Sequence, residues 1–220
     1  MTWLVWLSSV FAVAYMIGSF PTGYLAGRLL RGIDIREHGS GATGATNVLR
    51  VLGKGPGAAV LITDVLKGAS VVILTRWIGH LPGITIPHPA STSAASWLSW
   101  LAVTAGLGVL LGHSRSIWLG FSGGKSVASG LGVLASLHWP TAVIALSIFA
   151  VILAISKIVS LSSVITALSA PVVAAVLSRP LPIVVFLLAA AGYITIAHKT
   201  NIQRILNGTE FKLGQKGKTA

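Results

Sequence analysis

The sequence predicts an all-α fold, a polytopic bundle of about seven transmembrane helices, and three observations support this prediction. Apolar residues make up 54% of the chain, and its mean hydropathy is +0.85. Charged residues make up only 9%, whereas a soluble domain has about 25%. Several stretches approach the roughly 20 apolar residues that a spanning helix needs. Because no long polar region separates them, we expect a single membrane domain over residues 1–220.

Apolar stretches follow one another along the chain, and each is predicted to be a helix. The first is not interpreted as a secretory signal, because residues 1–18 contain no Lys or Arg before the hydrophobic run. The fourth is short enough to be re-entrant. Pro and polar residues separate the later stretches. The stretches cover residues 3–30, 58–78, 97–111, 127–137, 141–155, 161–177 and 181–197.

Positive charge is distributed unevenly between the predicted loops. The chain has 16 Lys and Arg residues against four acidic residues. With seven crossings, one side holds only Arg76 and Arg179, and the other holds the remaining basic loops and the tail, including Lys216 and Lys218. Short cytoplasmic loops are enriched in Lys and Arg. We therefore expect the N-terminus outside, the C-terminus in the cytoplasm, and the polar segments on the cytoplasmic face.

Composition excludes several kinds of chemistry. The chain has no cysteine, which excludes thiol catalysis, thiolate metal sites and disulfides. Asp34 and Asp64 are the only aspartates, so a two-metal site is not predicted. No other cofactor is predicted. The basic residues lie in short loops, which favours anionic lipids or anionic substrates over nucleic acid. No obligatory protein partner is evident.

A first polar segment, Gly39–Arg50, combines closely spaced glycines with polar side chains. Such glycines let successive backbone N–H groups point into one concavity, which suits phosphate oxygens. The guanidinium group of Arg50 can bind a phosphate with two parallel hydrogen bonds. Alternatively, the glycines only permit a flexible loop or close helix packing. The interleaved polar residues favour phosphate binding, with candidate residues Ser40, Gly41, Thr46, Asn47 and Arg50.

A second segment, Gly120–Ser126, leads into an apolar stretch. A glycine loop before a helix N-terminus can bind an anion, and Lys125 adds a charge beside Gly123 and Gly124. The segment is not a Walker P-loop, because Leu119 stands where that motif needs its first glycine. Nucleotide hydrolysis is therefore excluded.

Two later segments and one pair within an apolar stretch complete the candidates. Serines after Lys157 could bind phosphate, although capping of the following helix is an alternative. His198 and Asn201 are three residues apart, so they would share one face if the last helix continues. Asp64 and Lys67 are ionisable residues within a predicted span, where they mark either a site or a neutralised pair that supports packing. These further candidates are Ser160, Ser162, Ser163, His198 and Asn201.

In order and spacing, these segments resemble the acyl-phosphate-dependent glycerol-3-phosphate acyltransferase family of bacteria (PlsY-type) almost from end to end. The resemblance implies a site at the cytoplasmic face of the inner membrane, where an acyl group passes from acyl phosphate to the sn-1 hydroxyl of glycerol 3-phosphate. It also implies that Ser40 and Arg50 are needed for activity and that the Lys125 loop binds glycerol phosphate. The matching motifs are Gly18–Tyr24, Asp34–Arg36, Gly39–Arg50, Asp64–Gly68, Gly112-His113, Gly123–Lys125, Val159–Ser163, and His198 with Asn201.

The sequence departs from the family pattern at two motifs. Ser122 and Ser126 replace the outer Lys and Gly of Lys-Gly-Gly-Lys-Gly, and Lys199 and Thr200 replace the middle of His-Arg-Glu-Asn. Acyl phosphate is a mixed anhydride with a good leaving group, so the enzyme needs positioning and charge stabilisation more than a covalent nucleophile. The general base is either the departing phosphate, with His198 and Asn201 orienting the substrate, or His198 itself.

Two other functions are alternatives for these residues. Gly120–Gly123 contains a Gly-x-Ser-Gly pattern, and with His198 it could form a rhomboid-type intramembrane serine protease, but this leaves Arg50 and Lys125 without a function. An anion or phosphate transporter is the second alternative, although no pair of broken helices occurs in matching halves.

Overall fold

The computed structural model describes residues 2–214, so the predicted tail residues Lys216 and Lys218 lie outside it. Within these residues the fold is all-α, as predicted, and the extended pairing is limited to a bridge between Ser116 and Ser122. The α-helices, numbered in chain order, are α1 Thr2–Ser19, α2 Thr22–Arg31, α3 Ala45–Leu52, α4 Lys54–Gly79, α5 Ala94–Ser114, α6 Val127–Leu137, α7 Trp139–Ser156, α8 Val159–Val176, α9 Leu181–Ala197 and α10 Lys199–Leu206.

Five segments of the described chain are long and apolar enough to cross a membrane: Thr2–Arg31, α4, α5, α7 and α8. A sixth results if α9 and α10, which meet at a 60° bend, count as one span. The fourth predicted stretch, α6, has only 11 residues. The first is interrupted before Pro21, which has no N–H to continue the helix ladder.

The directions of the helices follow from their contacts. Trp3 and Trp97 pack edge to face near the starts of α1 and α5, with ring centroids 5.5 Å apart, and Gly112 packs against Ser19 at the ends of both. These two helices are therefore parallel. The same holds for α5 and α9, because Gly106 packs on Phe186 and, further along both helices, the hydroxyls of Ser114 and Tyr193 are hydrogen-bonded.

Helices α4, α6 and α8 run in the opposite direction. Gly79 at the end of α4 packs on Leu98 near the start of α5, and Arg179, just after α8, lies 3.0 Å from His138, just after α6. Gly68 of α4 packs against Ser129 at the start of α6, and Arg76 of α4 donates to the Ser136 carbonyl oxygen near the end of α6 at 2.8 Å. We call the end of the bundle where α1, α5 and α9 end, and where α4 and α8 begin, the site face; α6 begins deeper, beside the middle of α4. Although α6 is short, it follows the second half of α4 to the face opposite the site face.

Backbone contacts at glycines bring the central helices together. A Cβ atom at Gly112 would lie 2.1 Å from the Tyr15 carbonyl oxygen, and one at Gly132 would lie 2.0 Å from the Val65 carbonyl oxygen. Small residues at helix interfaces let backbones approach closely, which strengthens the van der Waals packing between helices in a bilayer. The α1–α5 and α4–α6 pairs position the loops of the site face.

Candidate active site

A cavity of about 950 Å³ extends from the site face into the bundle. Its inner part is apolar and lies between α6, α7, α8 and α9, with Leu134, Ala145, Ala170 and Phe186 among its lining residues. Its outer part is polar and combines side chains from all four predicted segments. The polar residues that line the cavity are Ser40, Thr46, Asn47, Arg50, Lys54, Asp64, His113, Lys125, Ser126, Ser160, Ser163, Thr166, His198, Asn201, Glu210 and Lys212.

The loop before α3 is built around Asn47. This buried side chain donates from Nδ2 to the carbonyl oxygens of His38 and Ala42, both at 2.9 Å. Its Oδ1 accepts the Ser40 N–H at 2.8 Å. The amide therefore organises the loop, and it is poorly placed to donate to a phosphate. Gly41 is exposed, has a φ of 72° and does not line the cavity.

Arg50 projects from α3 into the mouth of the cavity. Its Nη1 donates to Asn47 Oδ1 at 3.3 Å, and its Cζ lies 4.3 Å from the centroid of the Phe211 ring. Burial lowers the pKa of Arg50; Glu210 opposes this shift and Arg204 adds to it. No carboxylate of the described residues forms a salt bridge with Arg50, so its N–H groups can bind an external anion.

The glycine loop before α6 packs directly on His113. A Cβ atom at Gly124 would lie 2.1 Å from His113 Nε2, and one at Gly123 would lie 2.3 Å from the His113 carbonyl oxygen. The Gly124 N–H donates to that carbonyl oxygen at 3.1 Å. Neither glycine lines the cavity. Their small size instead lets the loop approach the end of α5 and direct Lys125 into the polar part.

Lys125 belongs to a chain of charged and polar groups. Its Nζ donates to Asn201 Oδ1, and Asn201 Nδ2 donates to Glu210 Oε1 at 2.6 Å. Glu210 also accepts Ser160 Oγ–H at 2.8 Å and Arg204 Nε–H at 2.6 Å. Burial raises the pKa of Glu210, but the hydrogen bonds from Asn201, Arg204 and Ser160 outweigh it, so the net pKa is lowered. The carboxylate is therefore charged at neutral pH.

Glu210 is not among the predicted site residues, although it belongs to the same polar segment as His198 and Asn201. It follows α10 in a polar tail, nine positions after Asn201, and nothing in its neighbouring residues distinguishes it from a solvated acid. The one available signal was its rarity, since the chain has only four acidic residues.

The three predicted serines have different environments. Ser160 and Ser163 line the cavity, whereas Ser162 does not. The hydroxyl groups of Ser162 and Ser163 donate to the carbonyl oxygens of Ile158 and Val159, both at 2.9 Å, as helical serines commonly do. Only Ser160 therefore joins the polar chain through its side chain.

His198 lies between α9 and α10 and is buried in the cavity wall. Its Nδ1 lies 2.8 Å from the Ile194 carbonyl oxygen. Because a carbonyl can only accept, Nδ1 carries the proton and Nε2 of the neutral ring is the acceptor. That nitrogen can accept a hydrogen bond from a substrate hydroxyl.

Asp64 and Lys67 form a buried ion pair at 2.9 Å. Thr22 Oγ1 donates to Asp64 Oδ1 at 2.7 Å, and Lys67 Nζ donates to the Phe20 carbonyl oxygen at 2.8 Å. The pair thus holds the break between α1 and α2 against α4. His113 Nδ1 lies 3.6 Å from Asp64, and of the pair only Asp64 lines the cavity.

Ser122, the nucleophile of the protease alternative, lies outside the cavity. Its hydroxyl donates to the Leu119 carbonyl oxygen at 2.7 Å and accepts from Arg36 at 3.1 Å. No histidine of the described residues is hydrogen-bonded to it. The serine–histidine pair that this alternative needs is therefore not formed.

The chain is similar to known proteins in both sequence and fold. The sequence model of the glycerol-3-phosphate acyltransferase family matches residues 8–208. Glycerol-3-phosphate acyltransferases of Acaryochloris marina and Trichormus variabilis are 53% and 49% identical over 214 residues, covering 97% of this chain and 95% of each relative.

Two crystal structures of an integral membrane glycerol 3-phosphate acyltransferase, PlsY (YgiH), resemble this fold at 30% sequence identity. Its glycerol 3-phosphate form has a TM-score of 0.82, and the match covers 94% of this chain and 96% of that one. Its lysophosphatidic acid form has a TM-score of 0.79, with 94% and 95% covered.

Proposed function

This chain belongs to the glycerol-3-phosphate acyltransferase family, and we propose that it transfers a fatty acyl group from acyl phosphate to the sn-1 hydroxyl of glycerol 3-phosphate. It is a multi-pass membrane acyltransferase. The products are 1-acylglycerol 3-phosphate and inorganic phosphate, which makes this the first acylation of phospholipid synthesis.

One observation carries the proposal: a polar site with separately held cations opens directly into an apolar cavity. Arg50 and Lys125 come from distant segments, and neither forms a salt bridge with a carboxylate of the described residues. Two phosphate-bearing substrates need such cations, and a fatty acyl chain needs an apolar space. Both requirements are met in a single continuous cavity.

We assign glycerol 3-phosphate to the side of the site that contains Lys125. The Lys125 ammonium binds the phosphate. Hydrogen bonds to Glu210 keep the side chains of Asn201 and Ser160 in place beside it. His198 Nε2 accepts a hydroxyl of the glycerol. The related PlsY was solved with glycerol 3-phosphate and with lysophosphatidic acid, which supports an acceptor and a product of this kind.

We assign the phosphate of the donor to the side that contains Arg50, with Ser40 and Thr46 beside it. The sn-1 oxygen attacks the acyl carbon, a new ester C–O bond forms, and the bond between the acyl carbon and the phosphate oxygen breaks. The proton of the hydroxyl passes to the departing phosphate, which suits a site with few protein bases. His198 Nε2 is the other acceptor for this proton.

The remaining predicted residues support these groups. Asn47, Gly41, Gly123 and Gly124 shape the two loops, Ser162 and Ser163 belong to the start of α8, and the Asp64–Lys67 pair fixes the helices below. None of these functions requires a metal or another cofactor.

We place the protein in the bacterial inner membrane with its N-terminus outside and its site face towards the cytoplasm. The alternating direction of successive helices, together with the path of α6, supports termini on opposite sides. The basic residues concentrate at the site face, which supports its cytoplasmic orientation.

The donor is tested with purified protein in detergent and radiolabelled glycerol 3-phosphate. Palmitoyl phosphate should give stoichiometric phosphate and 1-acylglycerol 3-phosphate, whereas palmitoyl-CoA and acyl carrier protein thioesters should give neither. Equal rates with a thioester would contradict the proposed donor, and acylation at the second hydroxyl would contradict the proposed position. The Ser122→Ala variant should keep the wild-type turnover in this assay, because only the protease mechanism requires the Ser122 hydroxyl.

A further inference from the structure

The residues after α10 cross the mouth of the cavity as a strap, residues 209–214. Glu210 fixes one part through its hydrogen bonds to Ser160, Asn201 and Arg204. Leu213 fixes another, because its N–H donates to the Lys157 carbonyl oxygen at 2.6 Å. Phe211, which lies between these two anchors, also lines the cavity.

The Phe211 ring contacts two guanidinium groups. Its centroid lies 4.3 Å from Arg50 Cζ and 5.6 Å from Arg204 Cζ. An aromatic face attracts a cation within about 6 Å, and the attraction grows when the cation is partly desolvated. Arg50 lies on α3 and Arg204 on α10, so the ring connects two parts of the site that are distant in sequence.

The ring holds Arg50 in a way that a carboxylate could not. A carboxylate would accept the N–H groups that a phosphate needs, and it would repel the phosphate. An aromatic face attracts the cation without accepting its N–H groups. Among the described residues, the Arg50 side chain makes one hydrogen bond, to Asn47 Oδ1 at 3.3 Å, and the Phe211 ring adds a further contact.

We infer that Phe211 is a positioning residue, which holds the Arg50 guanidinium at the mouth of the cavity and compensates its repulsion by Arg204. This inference rests on the proposed function, in which Arg50 binds a substrate phosphate. Phe211 contacts no reacting atom and acts only through the two cations.

The test compares Phe211→Leu, which removes the aromatic face and keeps an apolar side chain, with Phe211→Trp, which keeps the face. Both are measured alone and in the Arg50→Lys background, with the KM of glycerol 3-phosphate and of palmitoyl phosphate determined separately. Phe20→Leu is the matched control, because that exposed side chain lies outside the cavity.

Phe211→Leu should raise the KM of the same substrate that Arg50→Lys affects, by about 3- to 30-fold, with little change in kcat. Phe211→Trp should restore the wild-type KM. The double variant Phe211→Leu/Arg50→Lys should be little worse than Arg50→Lys alone, because the two residues act as a unit.

Three results would overturn the inference but not the proposed function. The first is a raised KM in Phe211→Trp, and the second is that the KM effects of the two single substitutions multiply in the double variant. The third is a wild-type KM in Phe211→Leu although Arg50→Lys raises the KM. A wild-type Arg50→Lys would instead overturn the proposed function of Arg50, and the inference with it. The single Arg50→Lys variant therefore distinguishes the two failures.

Discussion

Lys125 carries its charge in a site that already contains other cations. Burial is the main cause that lowers its pKa to about 8; Arg204 and Arg50 lower it further, and Glu210 opposes them. The ammonium is therefore present below pH 8 and is lost as the pH rises through that value. A phosphate dianion favours the charged form, so above pH 8 binding must take up a proton.

We predict that the KM of glycerol 3-phosphate is constant between pH 7 and about 8, then rises towards tenfold per pH unit. Initial rates in overlapping buffers at saturating donor measure this dependence. Lys125→Arg should remove it, because a guanidinium stays charged throughout this range. A wild-type KM that stays constant to pH 9.5 would contradict the function of Lys125 in phosphate binding.

Asp64 and Lys67 neutralise each other inside the bundle, where they are 1% and 7% exposed. Asp64→Asn leaves a buried ammonium without its counter-ion, and we expect it to lower the free energy of unfolding by about 3–5 kcal/mol. Thermal unfolding in detergent measures the loss. Asp64→Asn/Lys67→Met should recover part of it, because both charges are then absent. A single variant as stable as the wild type would show that the pair does not support the fold.

At the scale of helices, the two cations on the face opposite the site face have structural partners. Arg76 donates to the Ser136 carbonyl oxygen at the end of α6, and Arg179 donates to the Leu177 carbonyl oxygen at 2.7 Å at the end of α8. Cations near helix C-termini satisfy carbonyl groups that have no helical donor. Arg76 and Arg179, which depart from the concentration of basic residues at the site face, therefore act as helix caps.

The α4–α6 contact depends on glycine at closely packed positions. At Gly132→Ala the new Cβ atom would meet the Val65 backbone at 2.0 Å, so the helices must separate. We expect a loss of about 1–3 kcal/mol in the free energy of unfolding. Gly192→Ala on α9 is the matched control, since no atom lies within 4 Å of its Cβ position. Equal unfolding midpoints for the two variants would contradict direct backbone packing.

At the scale of the whole molecule, the alternating direction of successive helices from α4 to α9 brings all four predicted polar segments to one end of the bundle. Helices α1, α5 and α9 end there, α4 and α8 begin there, and α6 begins deeper on the same side. The side chains of distant segments can therefore share one cavity, even though loops on the opposite face separate them along the chain.

Single cysteines can test this topology, because the native chain has none. We expect an impermeant maleimide to label Glu37→Cys and Lys157→Cys from the cytoplasmic side of oriented vesicles, and Ser91→Cys from the other side. All three positions are exposed. Labelling of positions 37 and 157 from opposite sides would contradict the shared site face, and with it the proposed active site.

Hydropathy by itself predicted the all-α membrane fold, because burial in lipid requires long apolar runs whose backbone groups are satisfied within helices. The glycine and serine segments with their basic residues, the spacing of His198 and Asn201, and the family resemblance together identified Ser40, Arg50, Lys125, Ser160, His198 and Asn201. The structure brings all six of these residues to one cavity. Their functions in catalysis and binding stay predictions.

Only the tertiary structure decided how the other residues are used. Asn47 organises its own loop, Gly123 and Gly124 pack on His113, and Glu210 joins Ser160 to Asn201. Local sequence cannot reveal such functions, because each depends on a partner that folding brings close, either from a distant segment or by the turn of a loop. The path of α6 is a further example: its 11 residues reach the opposite face only because the glycine loop lies deep beside the middle of α4.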